Sequence, residues 1–202
     1  MRTFIICLLV LLLTSLEGHA ILPNRFHFRH YNIENGIPSN GISSIIQDSK
    51  GYIWFGTDNG LCRFDGTRFT FYRKKDLRYR NFHANNVNSV CEAGEDELWI
   101  ATENGIYIYN QNQDRFTTFD VRTKDGTAIH DAVNYIICDK EKNIWIATQK
   151  QDLFQYNVQS GKLTQFDMPS SHGSIIRILN DRQNNIWATG PAHLYRLNKV
   201  TN

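Results

Sequence analysis

Apolar residues in this chain fall in short runs separated by polar turns, and no stretch carries the 3.6-residue apolar period of a helix. The runs recur as a unit. The tryptophans mark it: Trp54-Phe55-Gly56-Thr57, Trp99-Ile100-Ala101-Thr102, Trp145-Ile146-Ala147-Thr148 and Trp187-Ala188-Thr189, spaced 45, 46 and 42 residues apart. These are all four tryptophans of the chain. Nine residues before each stands an aliphatic, Ile45, Val90, Ile136 and Ile178. Between that aliphatic and the tryptophan lies a polar turn: Asp48 to Gly51, Gly94 to Glu97, Asp139 to Asn143, Asp181 to Asn185. Asp, Asn, Ser and Gly supply turn hydrogen bonds and tolerate positive φ. After the tryptophan come a second turn, Asp58-Asn59-Gly60 or Glu103-Asn104-Gly105, and a third strand; Asn-Gly between strands is a strong hairpin signal. In three units a fourth strand follows, at 68–71, 115–119 and 162–166.

Four short antiparallel strands at this period predict an all-β chain of β-propeller blades, here called strands a to d of each blade. The expected blades run about 40–73, 85–120, 130–168 and 172–202. Three are complete and the fourth lacks its outer strand. A leading segment, 25–31, has the pattern of strand d (compare Arg25-Phe26-His27-Phe28 with Arg68-Phe69-Thr70-Phe71) and is expected to close a ring by pairing with a last blade. The mismatch between a leading outer strand and a missing final one predicts a fragment of a larger propeller; a closed four-bladed ring is the alternative. In either case Trp54, Trp99, Trp145 and Trp187 are expected to fill the wedges between blades, each contributing a few kcal/mol of burial.

The first 20 residues stand apart. Arg2, the apolar run Phe4 to Leu13 and the small-residue end Gly18-His19-Ala20 read as a signal peptide; the run is too short to cross a bilayer. The propeller is then 21–202, exported to the periplasm. A net charge of +2 gives no reason to expect nucleic acid, and aromatic residues at 12% favour sheet. Beyond the leader the cysteines are Cys62, Cys91 and Cys138, an odd number without metal spacing, and they read as small buried hydrophobes with room for one disulfide.

The unit resembles the two-component-regulator propeller repeat. The resemblance rests on Gly36-Ile37-Pro38-Ser39-Asn40-Gly41-Ile42 and on the pattern Asp48-x-x-Gly51-x-Ile53-Trp54-Phe55-Gly56-Thr57-x-x-Gly60-Leu61. The second unit departs from it, with Ala93 where Asp48 stands; the third replaces the Asn-Gly turn with Gln149 to Asp152. The resemblance implies the periplasmic sensor region of Bacteroides-type hybrid two-component proteins, responding to oligosaccharides. The kinase and DNA-binding parts of such proteins are not in these 202 residues. Membrane contact and homodimer formation would belong to a full-length context.

Candidate chemistry is sparse. The Asp-containing turn is similar to the Asp-box of sialidases, which makes a glycan-processing propeller enzyme the alternative function, beside a plain interaction scaffold. Sialidase chemistry needs clustered arginines and a Tyr–carboxylate pair, and the sequence brings neither together, so no catalytic residue is assigned. No metal site or cofactor is expected: His27 and His30 point to opposite faces of a strand. The basic stretch Lys74 to Arg80 reads as a solvated loop. A ligand is expected at the face made by the d–a and b–c loops, where Asn40, Asp58, Asn59, Asn86, Glu103, Asn104, His130 and Asp131 offer paired donors and acceptors to sugar hydroxyls.

Overall fold

The structure is a computed structural model, described here for residues 27–120, 122, 126, 129, 132–150, 153–166 and 173–197. The expected leader, His130, Asp131 and residues 198–202 lie outside the described residues. Two compact units are distinguished, Met1–His30 and Tyr31–Asn202. In the first, residues 27–30 are irregular chain.

The second unit contains four antiparallel sheets, each a meander in chain order. Blade 1 is β1 (Ile42–Gln47), β2 (Ile53–Thr57), β3 (Gly60–Phe64) and β4 (Phe69–Tyr72). Blade 2 is β5 (Val87–Gly94), β6 (Glu97–Thr102), β7 (Gly105–Asn110) and β8 (Arg115–Thr118). Blade 3 is β9 (Val133–Cys138), β10 (Asn143–Thr148), β11 (Leu153–Asn157) and β12 (Lys162–Phe166). Blade 4 has three strands, β13 (Arg177–Asn180), β14 (Ile186–Thr189) and β15 (Leu194–Leu197). Of the expected closing strand, 25–31, residues 27–31 are in no sheet here, and a further blade with which it would close a larger ring is not among the described residues. A strand exists only through the ladder it makes with a neighbour, and the apolar–polar alternation of this segment does not supply one.

The blades pack on one another through three apolar seams. Trp54, Leu61 and Tyr72 of blade 1 meet Val87, Val90, Ile100 and Tyr109 of blade 2. Trp99, Ala101 and Ile106 meet Val133, Ile136 and Ile146 of blade 3. Trp145, Ala147 and Leu153 meet Ile175, Ile178 and Ala188 of blade 4. One face of each sheet thus carries the tryptophan and the other carries the aliphatics nine and twelve residues before it. The innermost strands are also stapled through polar side chains. Ser43 donates to the Val87 carbonyl, Asn88 Nδ2 to the Val133 carbonyl at 2.8 Å, and Asn134 Nδ2 to the Ile175 carbonyl at 2.8 Å.

The turn six residues before the tryptophan does more than reverse the chain. Asp48 Oδ1 accepts from the backbone N–H of Lys50 and Tyr52, and its Oδ2 accepts from Trp54 Nε1 at 2.7 Å. Asp139 repeats this with Glu141, Asn143 and Trp145, and Asp181 with Gln183, Asn185 and Trp187, both indole bonds being 2.9 Å. Three residues before each of these tryptophans the chain has positive φ: Gly51, Lys142 and Asn184. The aspartate therefore ties the turn to the tryptophan ring, which in blades 1 and 3 fills a seam.

Blade 2 lacks the device. Ala93 has no carboxylate, β5 runs on to Gly94, and Trp99 Nε1 is buried without a hydrogen-bond partner. This gives a direct comparison. Trp145→Phe is expected to lower stability by about 1–2 kcal/mol more than Trp99→Phe, because only the first removes a satisfied buried bond. Thermal unfolding of the two variants measures the difference, and equal losses would remove the indole bond from the account.

Candidate functional site

The d–a and b–c loops share one face, as expected, and hydrogen bonds bind them together. The b–c turn of blade 1 is built by Thr57, whose hydroxyl donates to the Gly60 carbonyl at 2.7 Å and accepts from the Asn59 N–H. Thr102 does the same for Gly105 and Asn104 in blade 2. Gly60 and Gly105 have positive φ, which explains the Thr-x-Asn-Gly sequence of both turns.

The structure gives several of the candidate residues a structural partner. Asn59 Nδ2 donates to the Pro38 carbonyl at 3.1 Å and Asn104 Nδ2 to the His83 carbonyl at 3.4 Å, each reaching 21 residues back to its own d–a connection. Glu103 Oε1 accepts from the Asn85 N–H at 2.8 Å, while its Oε2 is buried and unpartnered. Asn40, Asp58 and Asn86 are exposed.

Asp58 and Asn86 come together although they are 28 residues apart in sequence. They line a hollow of about 350 Å³ between blades 1 and 2, with Gly41, Ser43, Thr57 and Asn88. A Cβ at Gly41 would meet the Asp58 carboxylate at 2.6 Å, so a larger residue there would push that exposed side chain aside. A second hollow, about 360 Å³, follows the inner strands and is lined by Ser43, Asn88, Asn134, Gln149, Ser174 and Arg177. Ser43 and Asn88 belong to both, so the two are continuous, with Ile42 and Val87 adding apolar wall to the first and Ile176 to the second. The sequence reading missed Ser43, Asn88 and Asn134. The signal was present as a polar residue eleven positions before three of the four tryptophans.

A hollow of about 450 Å³ lies on the outer strand of blade 1, lined by Phe69, Phe71, Arg73, Lys75, Asp76 and Arg78. Much of its charge is already engaged. Arg78 bridges Asp76 at 2.9 Å, and Arg73 lies 4.9 Å over the Phe71 ring. Asp76 also caps the short 3-10 turn Leu77–Tyr79, so the basic stretch is partly ordered structure.

Elements of hydrolytic chemistry are present but unsuited to it. Tyr109 donates to Asp114 Oδ1 at 2.6 Å and is 3.2 Å from the Tyr72 hydroxyl, while Tyr79 donates to Asp114 Oδ2. This is a Tyr–carboxylate pair. Burial, however, pushes the Tyr109 phenol up, and the hydrogen bonds with Asp114 and Tyr72 push it further, so it holds its proton. Its ring is sealed among Trp54, Tyr72 and Phe116. Arg63 stacks over Tyr52 at 4.6 Å, while Arg78, Arg80 and Arg115 line one hollow beside Asp114, with Arg78 already paired to Asp76 at 2.9 Å. Cys62, Cys91 and Cys138 are free; burial pushes Cys62 up to about 12 and Cys138 to about 11, so neither is a nucleophile at neutral pH. No group of three metal-ligating side chains occurs among the described residues, and no helix among them is long and apolar enough to cross a membrane.

Residues 36–59 and 81–104 match the family model described as two component regulator propeller. Both matches run from the d–a connection through the Trp strand into the b–c turn. Among solved structures, the extracellular domain of a putative hybrid two component system from B. thetaiotaomicron is similar at 22% identity over 85% of this chain and 30% of that one, with a TM-score of 0.64. A second such domain from the same organism is 26% identical over 79% of this chain and 24% of that one, also at 0.64. The designed protein Ika4 is similar at 11% identity and a TM-score of 0.54, over 78% of this chain and 90% of that one. The chain therefore spans less than a third of the two bacterial domains. Comparison by sequence with curated proteins yields no match.

Proposed function

For a β-propeller that carries the two component regulator propeller repeat, we propose a ligand-sensing role in the extracellular part of a hybrid two-component system, with an oligosaccharide as ligand. The observation that carries this reading is the continuous concave surface on the loop face, where Asp58, Asn86, Ser43, Asn88 and Asn134 stand beside apolar Ile42 and Val87. It offers carboxylate, amide and hydroxyl groups in a shallow concavity, which suits the alternating donors and acceptors of a sugar. The family match and the extracellular setting of the similar domains support an exported sensor. The protonated, sealed Tyr109 favours binding without turnover over a sialidase-type enzyme.

Asp58→Ala together with Asn86→Ala is expected to weaken oligosaccharide binding at least tenfold, about 1.4 kcal/mol. The melting temperature should stay nearly unchanged, because both side chains are exposed. Calorimetric titration against a panel of neutral and acidic oligosaccharides measures the first, and chromatography of the recovered sugar shows whether it is intact. Undiminished binding in the double variant would move the site elsewhere; a shortened sugar would favour the enzyme.

A further inference from the structure

The seam between blades 2 and 3 differs from its neighbours at the end nearest the a–b turns. Between blades 1 and 2, Ser49 donates through its N–H and its hydroxyl to the Glu92 carboxylate at 2.9 and 2.6 Å, and Lys50 pairs with Asp96 at 2.5 Å. Between blades 3 and 4, Lys140 Nζ donates to the Arg182 carbonyl at 2.6 Å and Asn184 Nδ2 to Glu141 Oε1 at 2.8 Å. Between blades 2 and 3 the positions of Ser49 and Glu92 are taken by Gly94 and Cys138, so the Ser49–Glu92 bond has no counterpart. At the same end Ala93 leaves Trp99 Nε1 without its acceptor. What this seam has instead is a cysteine on each side, Cys91 on β5 and Cys138 on β9, within one apolar cluster.

The ladders aim both side chains into the seam. Cys91 is paired with Trp99 and Cys138 with Ile144, and paired residues share a face of their sheet. Trp99 is on the side of blade 2 that meets blade 3, and Ile144 is on the side of blade 3 that meets blade 2. The two inner strands are tied together close by. Ser89 Oγ donates to the Ile136 carbonyl at 3.0 Å, and each cysteine stands two residues further along its strand, on the same face as Ser89 or Ile136. Burial pushes the Cys91 thiol well up, and the neighbouring Cys138 raises it further. Cys62 pairs with Phe55, on the face of blade 1 turned away from Trp54, and takes no part. Cys91 and Cys138 are thiols in this structure. We propose that they are a redox site, which closes into a disulfide across the seam in place of the missing polar staple. The extracellular setting, which rests on the exported reading above, supplies disulfide oxidants. The thiolate of Cys138, the less buried of the two, attacks such an oxidant, forming a mixed disulfide and releasing one thiol. The Cys91 thiolate then displaces the second thiol, so two electrons reduce the oxidant and both protons end on its sulfurs.

Oxidised glutathione, added to the purified full chain at mildly alkaline pH, tests this. Remaining thiols are then alkylated in denaturant and the chain is digested for mass spectrometry. The expected product is a linked pair of peptides carrying Cys91 and Cys138, with Cys62 alkylated. The melting temperature should rise by roughly 5–15 °C, because the bond closes the loop from 91 to 138 in the unfolded chain, and dithiothreitol should return it to the starting value. Burial holds Cys91 high and Cys138 at about 11, so the bond should form slowly near neutral pH and faster as pH rises. Cys138→Ser, and separately Cys91→Ala, should abolish both the linkage and the rise. The proposal is overturned if both cysteines are alkylated after oxidation, if glutathione stays on Cys138, if the linked peptides carry another cysteine, or if the oxidised chain melts no higher. None of these readouts involves a sugar, so this result and the oligosaccharide titration succeed or fail separately.

Discussion

Asp139→Ala is expected to lower the unfolding free energy by about 3 kcal/mol, which for a chain of this size is a fall of roughly 6–12 °C in melting temperature. The carboxylate is 5% exposed and accepts four hydrogen bonds, from Glu141 N, Asn143 N, Asn143 Nδ2 and Trp145 Nε1. Removing it leaves an indole N–H and turn amides buried at the seam between blades 3 and 4. Asp139→Asn separates the parts. Its oxygen can still hold the turn amides, but its NH2 faces the indole donor, so an intermediate loss of about 2 kcal/mol is expected. The effect has a pH signature. Burial pushes the Asp139 carboxyl up, but the hydrogen bonds from Trp145 and Asn143 and the turn amides outweigh it and hold the group below its ordinary value. A lowered carboxyl contributes stability above the unfolded value, about 4, and loses it as pH falls through the folded one. Asp181, held at about 2 by the bonds from Trp187 and Asn185, titrates in the same direction. Wild type should therefore lose stability between about pH 4 and 2, and Asp139→Ala should do so with a shallower slope. Tryptophan fluorescence during urea unfolding at pH 7, 4 and 3 follows both. A variant within a degree or two of wild type at pH 7 would refute the clamp.

That clamp also shows how far the sequence could be read. The tryptophan period predicted the blades, their order and their seams, because a large ring repeated at one strand position has few other uses. The aspartates were readable as turn caps, and the departure at Ala93 was visible. The bond from Asp to the indole was not, because six residues of separation say nothing about distance until the turn closes with positive φ at Gly51, Lys142 and Asn184. The candidate site was legible as a face and less so residue by residue. Asn59 and Asn104 have a composition that fits either a turn or a ligand, and their amides reach carbonyls 21 residues away. Asp58 and Asn86 meet only because adjacent blades bring a b–c turn beside the next d–a loop. The leading segment stays unassigned for a related reason: Phe26 and Phe28 alternate as a strand should, but pairing depends on a neighbour that alternation does not encode.

Gly60→Ala is the other large effect, an expected loss of about 3–4 kcal/mol, against about 1–2 for Gly105→Ala. The two glycines occupy equivalent turns with nearly the same backbone, φ +102° and +95°. Any L-residue there enters a left-handed conformation at about 1–2 kcal/mol. Space distinguishes them. A Cβ at position 105 meets only the Ile129 carbonyl at 3.5 Å, an ordinary contact. At position 60 it would lie far inside contact distance of the Tyr72 carbonyl and 3.2 Å from Arg73 Cγ. Tyr72 cannot give way cheaply, because its backbone pairs with Leu61 and its ring is wedged between Trp54, Tyr79 and Tyr109. The turn must move instead. It carries Asp58 and is tied to the next blade through the bond from Gly60 N–H to the Asn85 carbonyl, beside Asn86. Gly60→Ala should therefore lower affinity for the proposed oligosaccharide ligand as well as melting temperature, whereas Gly105→Ala, with its turn in place, should lower only the melting temperature. Scanning calorimetry and titration on the same two samples give all four values. Equal destabilisation by the two substitutions would show that left-handed strain, not the Tyr72 backbone, sets the cost.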